Sequence, residues 1–303
     1  MTINKTSSTA PVTVTPSVNS NKPLSSETKA NAAPGKKASA GVSSQMQLLG
    51  LAKQFVLDGA LLSPEKQMPI EDRARKRERL LHLRKQQNLE MIIQKTIGYC
   101  SDSEITDRAD QDWFNSYLAL AEDIGNRTMQ DLWAKILAGE ISQPGTFSLK
   151  ALKVFRSLNI NEAKLLAKAC GLAVKDQGKK SMRILSGVYQ KPGLFNMFDK
   201  HRENKINLAH WGLSYTELLV LADNDLIFIQ ETESSPVRKN DSIHFTYNGQ
   251  QLTLTAKKND CILNFYKFTP IGAELASLIA DNPDDDFLTD VKQQLNHHFA
   301  TSG

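Results

Sequence analysis

The densest chemistry in this chain is cationic: Arg73, Arg75, Lys76, Arg77, Arg79, Arg84 and Lys85 crowd one stretch in which Glu78 is the only acid. Guanidinium and ammonium groups at that density suit phosphate or another anion, and such contacts add affinity without reading base sequence. On a helix, Arg73, Arg77 and Arg84 align roughly while Arg75, Lys76 and Arg79 wrap around, a pattern that equally describes a solvated helix end. No aromatic residue is interleaved to stack a base.

Other reactive groups are dispersed. Of His82, His201, His210, His244, His297 and His298, only the last two are adjacent. Neighbours on a helix point about 100° apart, so this pair reads as an exposed terminus rather than a shared metal site. Asp284-Asp285-Asp286 follows Asn282-Pro283 and reads as charge at a helix N-terminus. Asp112, Asp123 and Glu140 lie near Trp113 and Trp133 in the chain, but their spacing alone makes no acid/base pair. Cys100, Cys170 and Cys261 are odd in number and far apart, which suggests neither disulfides nor zinc and a reducing cytoplasm as the compartment. The chain holds no GxSxG, HExxH, P-loop or zinc-deaminase pattern. The expectation is therefore no catalytic residue, no metal and no cofactor, in a non-enzymatic cytoplasmic interaction or regulatory protein. Its expected partners are a protein, or nucleic acid or another anionic surface, and no transmembrane span is expected. The alternative is an enzyme with an unfamiliar site, in a stress or phage-defence setting.

Charge is distributed unevenly along the 303 residues: positions 1–44 and 45–98 carry +4 each, against a net +4 overall, which leaves −4 for the rest. Residues 1–44 are rich in Ser, Thr, Pro, Ala, Asn and Lys and hold no aromatic residue, so they are expected to form a disordered tail. Met46 to Leu62 spaces apolar residues as an amphipathic docking helix. Residues 71–98 lack Pro and Gly until Gly98 and predict the longest helix, basic in its first half and apolar through Leu89, Ile92, Ile93 and Ile97 in its second.

A helical core is expected over 99–175. An acidic run, Asp102 to Asp112, precedes a helix carrying Trp113 and Tyr117. Asn126 suits the N-cap of a second helix carrying Trp133, with Gly139 as its stop, and the two helices should meet antiparallel through their tryptophans. Ser148 and Asn161 suit further N-caps. Over 176–303 an α+β module is expected. It comprises a strand from Met182 to Tyr189, a capping box at Ser214-Tyr215-Thr216-Glu217, a strand at Leu226 to Gln230 and a hairpin about Asn248-Gly249. A strand from Cys261 to Phe268, a helix opened by Thr269-Pro270 and a last helix complete it. The fold class expected is mainly α with a small antiparallel β module (α+β), the helical body followed by a winged-helix-like C-terminal part. Its would-be recognition helix, with Glu217 and Asp223, would repel phosphate.

Asp112-Trp113, the block Met129-Gln130-Asp131-Leu132-Trp133-Ala134-Lys135-Ile136-Leu137-Ala138-Gly139-Glu140-Ile141 and the following Pro144-Gly145-Thr146-Phe147-Ser148 together resemble an uncharacterised gammaproteobacterial family known as a domain of unknown function. The resemblance runs from about Arg73 to Ile279, through Asn88-Leu89-Glu90 and Thr269-Pro270-Ile271-Gly272-Ala273-Glu274-Leu275. It implies no activity and carries no site residues over.

Overall fold

The computed structural model describes residues 43–100, 108–177, 181–193 and 202–303. Positions 1–42 of the expected 1–44 tail, the first part of the acidic run through 107 and His201 lie outside the described residues, while Ser43 and Ser44, expected in the tail, begin a helix. The chain divides into two compact units, 1–58 and 59–303. In the first, the Ser43 hydroxyl accepts from the Met46 amide and caps α1 (Ser44–Gln54), which exposes Met46, Leu48 and Leu51. The helix is shorter than the expected span. Val56, with φ at 58°, takes a left-handed turn that a helix cannot continue through.

In the second unit, α2 (Ile70–Ile97) runs 28 residues, about 42 Å. Glu71 and Asp72 in its first turn favour the positive end of the helix dipole. Asp110 caps α3 (Gln111–Ala121) and Asn126 caps α4 (Arg127–Ser142). Backbone packing sets α4 against α2, and α3 against α5 (Leu149–Ser157), so α3 and α4 are not the close antiparallel pair expected. Their tryptophans are nonetheless both buried and are joined through Tyr117, whose ring centroid lies 5.3 Å from each. The Tyr117 hydroxyl donates to the Trp133 carbonyl at 2.8 Å.

Two N- and C-terminal assignments change. Gly139 does not stop α4, which continues to Ser142; a Cβ there would stand 3.0 Å from the Phe147 ring, so glycine admits that ring. The cap of α6 (Ile160–Gly171) is Asn159 rather than Asn161, because the Asn159 backbone is extended and its side chain and Glu162 complete a capping box.

Eleven elements follow: β1 (Val174–Asp176), β2 (Met182–Gln190), β3 (Glu203–Lys205), α7 (Tyr215–Asp223), β4 (Thr232–Glu233), β5 (Ser242–Tyr247), β6 (Gln250–Ala256), β7 (Cys261–Lys267), α8 (Pro270–Ala276), α9 (Asp285–Leu295) and β8 (Phe299–Ser302). The strands form one antiparallel eight-stranded sheet in the order β4-β7-β2-β1-β5-β6-β8, with β3 also on β2. The architecture is α+β, with a sheet larger than the small module expected. Asn248 and Gly249, with φ of 42° and 83°, turn β5 into β6 and place Tyr247 opposite Gln250. Phe245, Leu252 and Leu254 are buried on it. The hairpin's neighbours are β1 and β8, while β7 lies between β4 and β2, so the helix, strand, hairpin and strand of 214–280 do not close on one another as in a wing.

Leu226 to Gln230 is not a strand; only Ile227 makes a bridge, to Phe268. Asp225 enters the segment at φ 57°, and the Leu226 carbonyl accepts from the Thr269 amide at 3.0 Å. A Cβ on Gly272 would collide with that carbonyl, so α8 sits directly on the Leu226 backbone.

Replacing Trp133 with Ala removes the ring that packs on Tyr117 and Phe155 and is expected to cost about 3 to 5 kcal/mol in a denaturant titration. Gly272→Ala is expected to cost at least about 1 to 3 kcal/mol, since the clash is with backbone rather than a movable side chain. Wild-type stability in either variant would refute the packing described.

Candidate anion-binding helix

The basic half of α2 is a helix with little beneath it. Residues 74–80 are exposed without interruption, two full turns with every face open to solvent. Arg75, Lys76, Arg77 and Arg79 lie in that stretch, and the nearby acid, Glu78, is 3.9 Å from His82. The three other predicted cations are placed differently. Arg73 is half-buried with its stem against Gly59, whose Cβ position it would occupy. Arg84 is half-buried. Lys85 pairs with Glu122 and lies 3.8 Å from Asp123; its hydrogen bond to Glu122 holds the ammonium above its ordinary pKa. Of the predicted set, Lys85 therefore belongs to the body rather than to an open anion surface.

The second half of α2 is anchored by polar contacts. Asn88 donates to the Glu122 carbonyl at 2.9 Å, and Gln130 donates to Asn88 at 3.4 Å and to the Ile124 carbonyl at 2.9 Å. Asp131 accepts from the Tyr99 hydroxyl at 2.8 Å and from Lys95 at 3.3 Å, with Lys135 at 3.6 Å. Tyr99 first, and then Lys95, hold the Asp131 carboxyl below the usual range. Anchoring at one end and exposure at the other fix the direction in which the four open cations are presented.

The carboxylates near the tryptophans do not converge. Asp112 occupies the first turn of α3, Asp123 faces Lys85, and Glu140 is buried, accepting from the amides of Gly145 at 2.7 Å and Phe147 at 2.9 Å. Trp113 Nε1 donates to the Phe147 carbonyl at 2.7 Å, and Glu274 accepts from both the amide and the hydroxyl of Ser148 at 2.7 and 2.9 Å. Sequence reasoning missed this staple, although the spacing of Glu140 to Pro144-Gly145 marks a carboxylate one turn before a tight loop. The histidine pair also divides: His297 is exposed, whereas His298 is fully buried with Nε2 3.1 Å from the Arg202 carbonyl oxygen. His298 is core because the chain enters β8 there instead of fraying. Asp284 caps α9, accepting from the Phe287 amide at 3.0 Å. Among the described residues no group of three or more His, Cys, Asp or Glu side chains is placed to hold a metal ion.

Burial pushes the Cys170 thiol up to about 12 and raises that of Cys261, so both stay protonated at neutral pH, whereas Cys100 is exposed. Ellman's reagent at pH 8 is expected to modify one thiol per native chain quickly and three after denaturation. Rapid modification of Cys170 in the native protein would contradict its placement.

No helix among the described residues is long and apolar enough to cross a membrane. Searches of curated proteins and of solved structures each return no match. A family model described as "Protein of unknown function (DUF2806)" matches residues 72–292, from the start of the basic helix to the last turns of α9. The chain belongs to that family.

Proposed function

We propose that this protein is a non-enzymatic cytoplasmic interaction protein that engages a polyanion, the phosphate backbone of nucleic acid, through the basic half of α2. The observation that carries the reading is the two-turn stretch exposed on every face with Arg75, Lys76, Arg77 and Arg79 upon it. A helix that packs on nothing gains no burial energy, and its charges are there for solubility or for a partner. Four cations within about 6 Å of helix rise, spread around its circumference, suit the repeated charges of a polyanion better than a single small anion. The contact is independent of base sequence, because no side chain beside them offers base-edge readout.

Four neutralised phosphates give a slope of about −3.6 in log affinity against log salt on duplex DNA. Replacing Arg75, Lys76, Arg77 and Arg79 together with Gln should flatten that slope and leave the melting temperature nearly unchanged, since exposed charges add little stability. Filter binding at two salt concentrations beside a thermal melt measures both. Equal binding by the variant, or no binding by the wild type at low salt, would sink the proposal.

A further inference from the structure

A second surface of this chain is complementary to the same helix. On one face of the sheet, Glu233 pairs across to Asn264, Asn264 to Gly187 and Gly187 to Lys205, and directly opposed residues in antiparallel strands share a face. Lys205 sits 3.1 Å from Glu203 and is also within the field of Glu231. Burial, then a hydrogen bond to Glu233, raises the Tyr189 hydroxyl, and burial, then the charges of Glu231 and Tyr215, raises that of Tyr266. Glu203 and Glu231 therefore flank Lys205 while Glu233 flanks Tyr189, with Tyr266 and Tyr215 beside them. This acidic face continues into open apolar surface: Tyr215 and Leu219, one turn apart on α7, are 66% and 36% exposed.

The open turns of α2 carry the converse pattern. Beside Arg75, Lys76 and Arg79 stand Leu80 and Leu83, 39% and 50% exposed. Contiguous apolar surface rimmed by charge marks contact sites, and interface cores favour aromatic residues and Arg. We propose that the basic half of α2 docks on the Tyr215, Glu231 and Glu233 face of a second copy of this chain, forming a two-fold dimer in which each helix meets its partner's acidic aromatic face. Leu80 and Leu83 of one copy cover Tyr215 and Leu219 of the other, while the arginines face Glu203, Glu231 and Glu233. Two-fold symmetry makes the contact twice, which a heterologous chain of copies would not close. Charge complementarity of this kind sets pairing and makes it sensitive to salt. The inference does not rest on polyanion binding, though both engage the same helix.

Sedimentation of the full chain at 50 and 500 mM salt tests it. The expected result is a dimer at low salt whose dissociation constant rises at least about tenfold at high salt. Glu203→Lys with Glu233→Lys should weaken the dimer by a similar factor, Arg75→Glu with Arg79→Glu should do the same, and all four together should restore it. Leu83→Ser, an exposed position that leaves the core untouched, should weaken it without lowering the melting temperature. With DNA titrated at chain concentrations below the dimer's dissociation constant, where the helix is free, Glu203→Gln with Glu233→Gln should leave the DNA salt slope as it is, so failure of the two proposals is told apart. A monomer at both salts, a dimer indifferent to the acidic-face reversals, or a monomer that instead binds a lysine-rich probe peptide at this face would each overturn the pairing.

Discussion

A carboxylate shut off from water must be hydrogen-bonded, and Glu140 meets that demand with the amides of Gly145 and Phe147. Much of the helical half hangs on that arrangement. It fixes the loop that carries Phe147, whose carbonyl takes the Trp113 indole proton and whose ring fills the space left by Gly139. The next residue, Ser148, caps α5 and is held from across the molecule by Glu274 of α8. One turn of chain thus joins α3, α4, α5 and α8. Gly139, Glu140, Gly145, Phe147 and Ser148, five residues of this junction, lie within ten positions of one another.

The same economy of anchoring explains α2. Its second half gains polar and apolar contacts with α4 through Asn88, Ile92, Lys95 and Thr96, and that fixed end carries the first half outward. Isolated helical turns are marginal in water, so two open turns persist because they continue a docked helix. Their charges are thereby held at a set spacing without a surface of their own beneath them.

In the sheet, the close approach of α8 to Leu226 has a comparable reach. The Thr269 hydroxyl caps Gly272 at 3.0 Å and also donates to the Asp225 carbonyl, so the end of α7 and the start of α8 share one hydrogen-bonding centre. The Leu226 carbonyl and the Phe228 amide, bonded to the Thr269 amide and the Lys267 carbonyl, make the single bridge at Ile227, beyond which the pairing stops and Phe228 and Ile229 stand exposed.

Local signals in the sequence determined the elements that local physics controls. Asn126, Ser148, Ser214, Thr269 and Asp284 announce helix starts because a short side-chain oxygen satisfies free amides. Asn248-Gly249 announces a hairpin because few other residues tolerate its turn, and the cation cluster and the tryptophan core were visible as composition and period. What only the tertiary structure decided depends on groups distant in the chain. Gly139 reads as a helix stop until Phe147 is seen against it, and Leu226 to Gln230 reads as a strand until its pairing with the end of β7 is seen to stop after one bridge at Ile227. Lys85 reads as one more open cation until Glu122 pairs with it, and His298 as a frayed end until Arg202 closes over it. Periodicity and capping act within a few residues, whereas strand order, ion pairing and burial are set by which segments meet, and no local pattern encodes that meeting.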